Sequence, residues 1–269
     1  MVSFRAHLAA LVTCFRHPAG SSNHVSCLTG SGAIGTKWSC RRDAGSTFFV
    51  LLAAAFFLLF TKTSFALDTN AVLNGWFAAQ TNLQGWSADF TQTRSLKTLT
   101  QPLVTTGRIS YAVPNRFRWE LGQPAKTIAL RQADEMWVVY PRLKRAERYP
   151  LGAAAPGEWR DMLSLLDAGF PSNRAAFDER FRLLSVTETN GSWLLALQPV
   201  SAFARKLMQE IRVGLATNDF SLTSNELVFI DGSRMRNDFT NAVLNPALPA
   251  ELFQWTPEAG YKITEPMSK

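Results

Sequence analysis

The chain of 269 residues carries 28 Lys/Arg against 21 Asp/Glu, a formal net charge of +7, and 46% of it is hydrophobic. Six of the basic side chains and one acid precede residue 67, so the rest holds 22 basic and 20 acidic groups, net +2, which excludes a general nucleic-acid binder. Cys14, Cys27, Cys40, His7, His17 and His24 also precede residue 67, which excludes disulfides, imidazole metal sites and His-dependent nucleophiles from the remainder.

Residues 48–60, FFVLLAAAFFLLF, form an unbroken apolar run. It is shorter than the ~20 residues a spanning helix needs. Lys37, Arg41 and Arg42 precede it, and Ser64-Phe65-Ala66 follows with small residues at both positions that a signal peptidase reads. Residues 1–66 are therefore expected to be a leader with a secretory signal peptide, cleaved after Ala66. An uncleaved anchor is the alternative. Asp43-Ala44-Gly45 after Arg41-Arg42 argues against a twin-arginine signal. Because residues 1–36 are long for such a leader, translation is expected to start further down, at a non-Met codon. The next methionine, Met136, already lies inside the domain.

Residues 67–269 read as a single domain. About 200 residues bury roughly 70% of their chain surface without needing disulfides. The first element is a helix capped by Asp68 or Thr69, with Val72, Leu73, Trp76 and Phe77 on one face. Gly85 opens a strand in which Trp86, Ala88 and Phe90 share one face and Ser87, Asp89 and Thr91 the other. Strands are then expected at about 103–112, 115–121, 126–131, 135–140 and 143–149, separated by turn-like VPN, GQP and QAD segments. An amphipathic second helix carrying Trp159, Met162, Leu163 and Leu166 ends at Gly169 and Pro171. Strands resume near 181–188 and 192–199 around an Asn190-Gly191 hairpin, then at 209–216, 221–230 and 234–241. Pro249–Phe253 suits one more helical turn. The class is α+β with an antiparallel meander.

Chemistry is scarce in this part of the chain. No G-x-S-x-G string and no phosphate-binding glycine loop occurs, and GWSAD has Asp89 where the last glycine belongs. Glu158 and Asp161 have the chemistry of an acid–base pair, but they sit at a helix start, where carboxylates stabilise the helix dipole, and that reading is preferred. The basic run Arg142, Lys144, Arg145 and Arg148 reads as a solvated strand edge, or as a surface meeting an anionic headgroup or acidic partner. No catalytic residue, metal ligand or cofactor is expected. The aromatics Trp76, Phe77, Trp86, Phe90, Phe117, Trp119, Trp137 and Trp159 fit either a packed core or an apolar cavity.

DFTQT, GRISY and VPNRFRWEL, followed by DEMWVVYP and a closing FQWTPEAGYKI, resemble the outer-membrane lipoprotein carrier (LolA-like) family over about residues 68–265. The resemblance implies an incomplete antiparallel β-barrel, a strongly curved sheet with helices covering an apolar cavity, in the periplasm. It implies a non-enzymatic carrier that shields the acyl chains of lipoproteins between an inner-membrane ABC transporter and an outer-membrane receptor. Carried over by position, Phe90, Ile109, Phe117 and Trp119 would line the cavity. Leu73, Trp76 and Phe77 on the first helix, with Met162 and Leu166 on the second, would form the lid. A monomer is expected. The family's arginine before the Pro-Asn turn, which latches the lid, is Val113 here, and Arg116 and Arg118 have the parity to point outward. Two other readings remain open: a related periplasmic module binding lipid, glycolipid or acyl-polyene, and a sensor domain whose aromatic face is plain core.

Overall fold

The computed structural model describes residues 68–132, 134–151 and 168–266. Helix α1 spans Thr69–Gln80. Its cap is Asp68, whose carboxylate accepts from the N–H groups of Asn70 (3.0 Å) and Ala71 (3.2 Å). An extended Asp thus satisfies two of the donors that a first helical turn leaves unpaired. Val72, Leu73 and Trp76 form the buried face of α1. Gly75 lets the Phe220 ring lie against the helix, where a Cβ would meet it at 2.3 Å.

Among the described residues twelve strands form one sheet: β1 (Gly85–Ser95), β2 (Leu103–Ala112), β3 (Arg116–Leu121), β4 (Thr127–Arg131), β5 (Glu135–Tyr140), β6 (Arg145–Pro150), β7 (Phe181–Thr189), β8 (Ser192–Pro199), β9 (Met208–Ala216), β10 (Leu222–Phe229), β11 (Arg234–Leu244) and β12 (Lys262–Thr264). Their spatial order is β12-β6-β5-β4-β3-β2-β1-β11-β10-β9-β8-β7. Every neighbouring pair is antiparallel except β12–β6. The outermost strands, β12 and β7, do not pair, so the sheet is a curved, unclosed barrel wall, and the fold is the expected α+β incomplete barrel. Asn190 (φ 52°) and Gly191 (φ 72°) make the β7–β8 turn, both left-handed as the tight hairpin requires.

Two-residue alternation assigns the faces. Trp86, Ala88 and Phe90 point to the concave side, where one large apolar cluster joins side chains of α1 to those of β1–β11. A second, smaller cluster lies on the convex side: Leu130, Trp137, Val139 and Ala146, covered by Ile128, Trp255 and Tyr261. The C-terminal arm reaches it through a 3₁₀ turn at Ala250–Phe253. Trp255 packs 5.0 Å from Trp137 and 5.3 Å from Tyr261. Arg118 donates to the Leu252 carbonyl (3.2 Å), and the Arg116 guanidinium lies 5.2 Å over the Phe253 ring. Both arginines therefore point outward, as their parity requires.

Three elements differ from expectation by being unforeseen. Helix α2 (Arg174–Arg180), helix α3 (Ala202–Arg205) and β12 span seven, four and three residues, too few to show a period. Their caps are local: Asn173 accepts from Ala176 N–H (2.9 Å) and Ser201 from Ala204 N–H (3.3 Å). The strand expected from residue 143 starts at Arg145, because Pro141–Leu143 forms a 3₁₀ turn ending in Lys144 at φ 43°. The strand-edge reading of the basic run is corrected too. Strand β12 covers β6, Arg145 pairs with the buried Glu147, and Arg148 bridges Glu135 (2.6 Å) and Glu265 (3.1 Å). The leader and the second helix, with Glu158, Trp159, Asp161, Met162, Leu163 and Leu166, lie outside the described residues.

Candidate functional site

Strand registry builds an aromatic floor on the concave face. Trp86, Tyr111, Phe117, Arg131, Met136 and Tyr149 stand opposite one another in turn across β1–β6. The next register is Ala88, Ile109, Trp119, Ala129, Val138 and Glu147. Phe90 faces Gly107 on one side and Phe239 on the other. Gly107 leaves the space that the Phe90 ring occupies, since a Cβ there would sit 2.3 Å from Phe90 Cζ. This lets Phe90 and Trp119 approach to 4.3 Å between ring centroids.

All four expected floor residues therefore share the concave face. Phe90 (2% exposed) and Ile109 (8%) are buried, while Phe117 and Trp119 are half-buried against the same cluster. Leu73 and Trp76 of α1 are buried in that cluster, and Phe77 packs on it. Trp76 and Phe77 meet Phe177 of α2 at 5.8 and 5.7 Å. Phe170 stacks flat on Tyr111 (4.3 Å, 6°) and lies 5.2 Å from Trp86.

Sequence reasoning missed Tyr111, Phe170, Phe177 and Phe239. The alternation that selected Ile109 also marks Tyr111, two residues on. Phe239 follows from alternation in β11 only once its pairing with Phe90 is known. Nothing local marks Phe170 or Phe177.

Besides Arg131, polar groups interrupt the apolar floor at two places. Gln92 Nε2 donates to Asn237 (3.0 Å), and Asn237 Nδ2 donates to the half-buried Asn225 (2.6 Å), a ladder across β1, β11 and β10. In β6 the buried Glu147 carboxylate accepts from Arg145 and from the Tyr149 hydroxyl (2.7 Å). Burial first, and then the charge of Glu147 and the hydrogen bond to it, push the Tyr149 phenol well above the usual tyrosine range. The indole N–H groups of Trp76, Trp86 and Trp193 are buried with no acceptor among the described residues. Each such donor costs about 1–3 kcal/mol, and natural interiors keep few of them.

On the convex face a pocket of about 500 Å³ opens beside the C-terminal arm, lined in part by Arg116, Glu135, Trp137 and Phe253. Glu135 is already engaged there, accepting from Trp137 Nε1 (2.7 Å) and Arg148. Among the described residues no group of three or more His, Cys, Asp or Glu could hold a metal ion.

The family described as outer membrane lipoprotein carrier protein LolA matches residues 81–256, more than half of the chain. The chain belongs to this family. The LolA match runs from the turn after α1 to the arm beyond the 3₁₀ turn, so it covers the whole floor. An outer-membrane lipoprotein carrier protein of Dechloromonas aromatica is 24% identical over 66% of this chain and 80% of its own. Another, from Methylibium petroleiphilum, is 27% identical over 72% of this chain and 87% of its own. The solved LolA superfamily protein of Nitrosomonas europaea is 11% identical, covers 71% of this chain and 99% of its own, and has a TM-score of 0.38. LolA proteins are carriers that bind lipoproteins, not enzymes. Among the described residues no helix is long and apolar enough to cross a membrane.

Proposed function

We propose that the protein is a periplasmic carrier that shields lipoprotein acyl chains from water between the inner and outer membranes. In this reading residues 67–269 form one carrier domain, released from its leader by cleavage after Ala66. An inner-membrane ABC transporter loads it, an outer-membrane receptor unloads it, and it works as a monomer. Phe90, Ile109, Phe117 and Trp119 form the floor under the acyl chains. Leu73, Trp76, Phe77, Met162 and Leu166 form the lid.

The observation that carries this reading is the concave face itself. A broad apolar floor, broken only at a few polar side chains, is roofed among the described residues by helical pieces and by Phe170 rather than by a second sheet. Each CH₂ moved from bilayer to water costs about 0.8 kcal/mol, so a bare chain of ~14 carbons costs roughly 10 kcal/mol. A carrier must match that with apolar surface and needs no reactive group. The unmatched indole donors of Trp76 and Trp86 add support. Ester and amide carbonyls near the head of an acylated cysteine would supply the acceptors these donors lack.

Native mass spectrometry of the protein taken gently from the periplasm of its host tests the reading. An acylated protein adduct is the expected result. A free lipid, glycolipid or polyene adduct would transfer the site to non-protein cargo. A bare chain that also fails to take labelled acyl chains from vesicles would leave the aromatic floor as plain core.

A further inference from the structure

The antiparallel topology sorts the connections between elements to two ends of the sheet. One end gathers the β1–β2 (96–102), β3–β4 (122–126), β5–β6 (141–144), β8–β9 (200–207) and β10–β11 (230–233) connections. They carry Lys97, Lys126, Arg142, Lys144, Arg205 and Lys206 against Asp231, and the turn that leads into β12 at the same end adds one more acid, Glu258. The opposite end gathers the α1–β1, β2–β3, β4–β5, β7–β8 and β9–β10 connections. These carry no Lys or Arg and two acids, Asp134 and Asp219. A near-neutral domain is therefore polarised end to end.

Exposed apolar side chains stand at the basic end: Leu143 (70% exposed), Ile230 (56%), Leu99 (46%) and Val200 (44%). Each sits on a different connection. Leu143 is flanked directly by Arg142 and Lys144. Lys97, Arg142, Lys144 and Lys206 are exposed and form no ion pair with a described residue.

We propose that this rim docks the protein on an anionic lipid surface, its apolar tips entering the headgroup layer and its cations meeting lipid phosphates. Apolar side chains interleaved with Lys and Arg are the composition that binds a membrane interface, by apolar burial plus attraction to anionic lipid. The tips sit on four connections of the rim, three of them in contact through the Ile230 N–H to Leu207 carbonyl and Lys97 N–H to Ser233 hydroxyl hydrogen bonds, and the cations interleave with them. A fluid interface can take up each tip separately. The inference goes beyond the cargo reading, because cargo would lie on the concave face and the rim would touch the bilayer whether or not cargo is bound.

Co-sedimentation of the purified protein with vesicles tests this. One set is phosphatidylcholine alone, and the other contains a quarter phosphatidylglycerol. Partition should favour the anionic vesicles by about tenfold or more at low salt, and the preference should shrink as the Debye length falls from ~30 Å at 0.01 M to ~8 Å at 0.15 M. The variant Lys97→Gln/Arg142→Gln/Lys144→Gln/Lys206→Gln should lose at least about tenfold, since one cation near the surface is worth up to about fivefold. Leu143→Asp should weaken binding to anionic vesicles, and circular dichroism should report an unchanged fold for both variants. All variants share the same N-terminal processing, so the comparison isolates the rim from the leader. Equal partition into both vesicle types, or unchanged partition of the four-site variant, overturns the proposal. Absence of binding to either set also overturns it, in favour of an acidic protein face.

Discussion

Replacing Gly107 with alanine probes the floor where it is tightest. The added Cβ would lie 2.2 Å from the Glu120 carbonyl oxygen and 2.3 Å from Phe90 Cζ. Carbon atoms settle at about 3.5–4.0 Å, so the ring would have to retreat by more than an ångström. It has little room to do so, with Trp119 at 4.3 Å and Phe239 at 6.4 Å between centroids. The Glu120 carbonyl is held as well, because it belongs to the strand opposite Arg108. Overpacking costs about 1–3 kcal/mol, and a weakened ladder hydrogen bond adds about 1 kcal/mol. Alanine returns about 0.4–1 kcal/mol by restricting the unfolded chain. The expected net loss is about 2 kcal/mol, or roughly 4–8 °C in Tm for a domain of this size. Urea unfolding followed by tryptophan fluorescence reads it as a lower midpoint at unchanged slope. Phe90→Leu in the same background should relieve part of the loss, giving a coupling of at least about 0.5 kcal/mol. A Gly107→Ala protein within about 0.5 kcal/mol of the parent, or strictly additive losses, would refute the close approach of Phe90 to β2.

Trp119 is half-buried in the floor beside Phe117, so Trp119→Ala should cost less than the ~3–5 kcal/mol of a fully buried tryptophan while lowering acyl-probe binding. A large melting shift with unchanged probe binding would show Trp119 to be core. Tyr149→Phe should cost about 1.5–3 kcal/mol at neutral pH, because the buried Glu147 carboxylate loses a donor. The same variant tests a pH dependence. The native Tyr149 phenol titrates above its unfolded value near pH 10, so its stabilising effect is complete below about pH 10 and is lost as pH rises beyond it. Stability of the parent should fall more steeply above about pH 10 than that of Tyr149→Phe, and parallel alkaline profiles would contradict this assignment.

Much of the wall was legible in the sequence, because alternation is a property of neighbouring residues. The face shared by Trp86, Ala88 and Phe90 follows from backbone pleating alone, and so does the inward set Phe117 and Trp119 against the outward pair Arg116 and Arg118. Turn chemistry placed the Asn190-Gly191 hairpin, and the side chain of Asp68 started α1. The elements that escaped were too short for a period, or lacked one. Strand β12 exists because Lys262–Thr264 finds an open edge on β6, a condition its own three residues do not encode. Helix α2 buries one aromatic, Phe177, which meets the distant Trp76 and Phe77 as well as the nearby Phe181.

The sequence by itself determined which side of each strand is apolar, that residues 67–269 hold no histidine or cysteine, and where the tight turns fall. Tertiary structure alone decided which of those sides meet. Gln92 and Asn237 are 145 positions apart and become hydrogen-bonded neighbours only through the pairing of β1 with β11. Phe170 reaches Tyr111 across a similarly non-local path, and the arm carrying Trp255 covers the convex rather than the concave face. The basic run divided for the same reason. Arg145 and Arg148 lie three residues apart, so pleating sends them to opposite faces; Arg145 meets Glu147 two residues along its own strand, whereas only the pairing of β5 with β6 brings Glu135 to Arg148. Local periodicity sets the face of a side chain, whereas its partners depend on long-range registry, which a single strand does not contain.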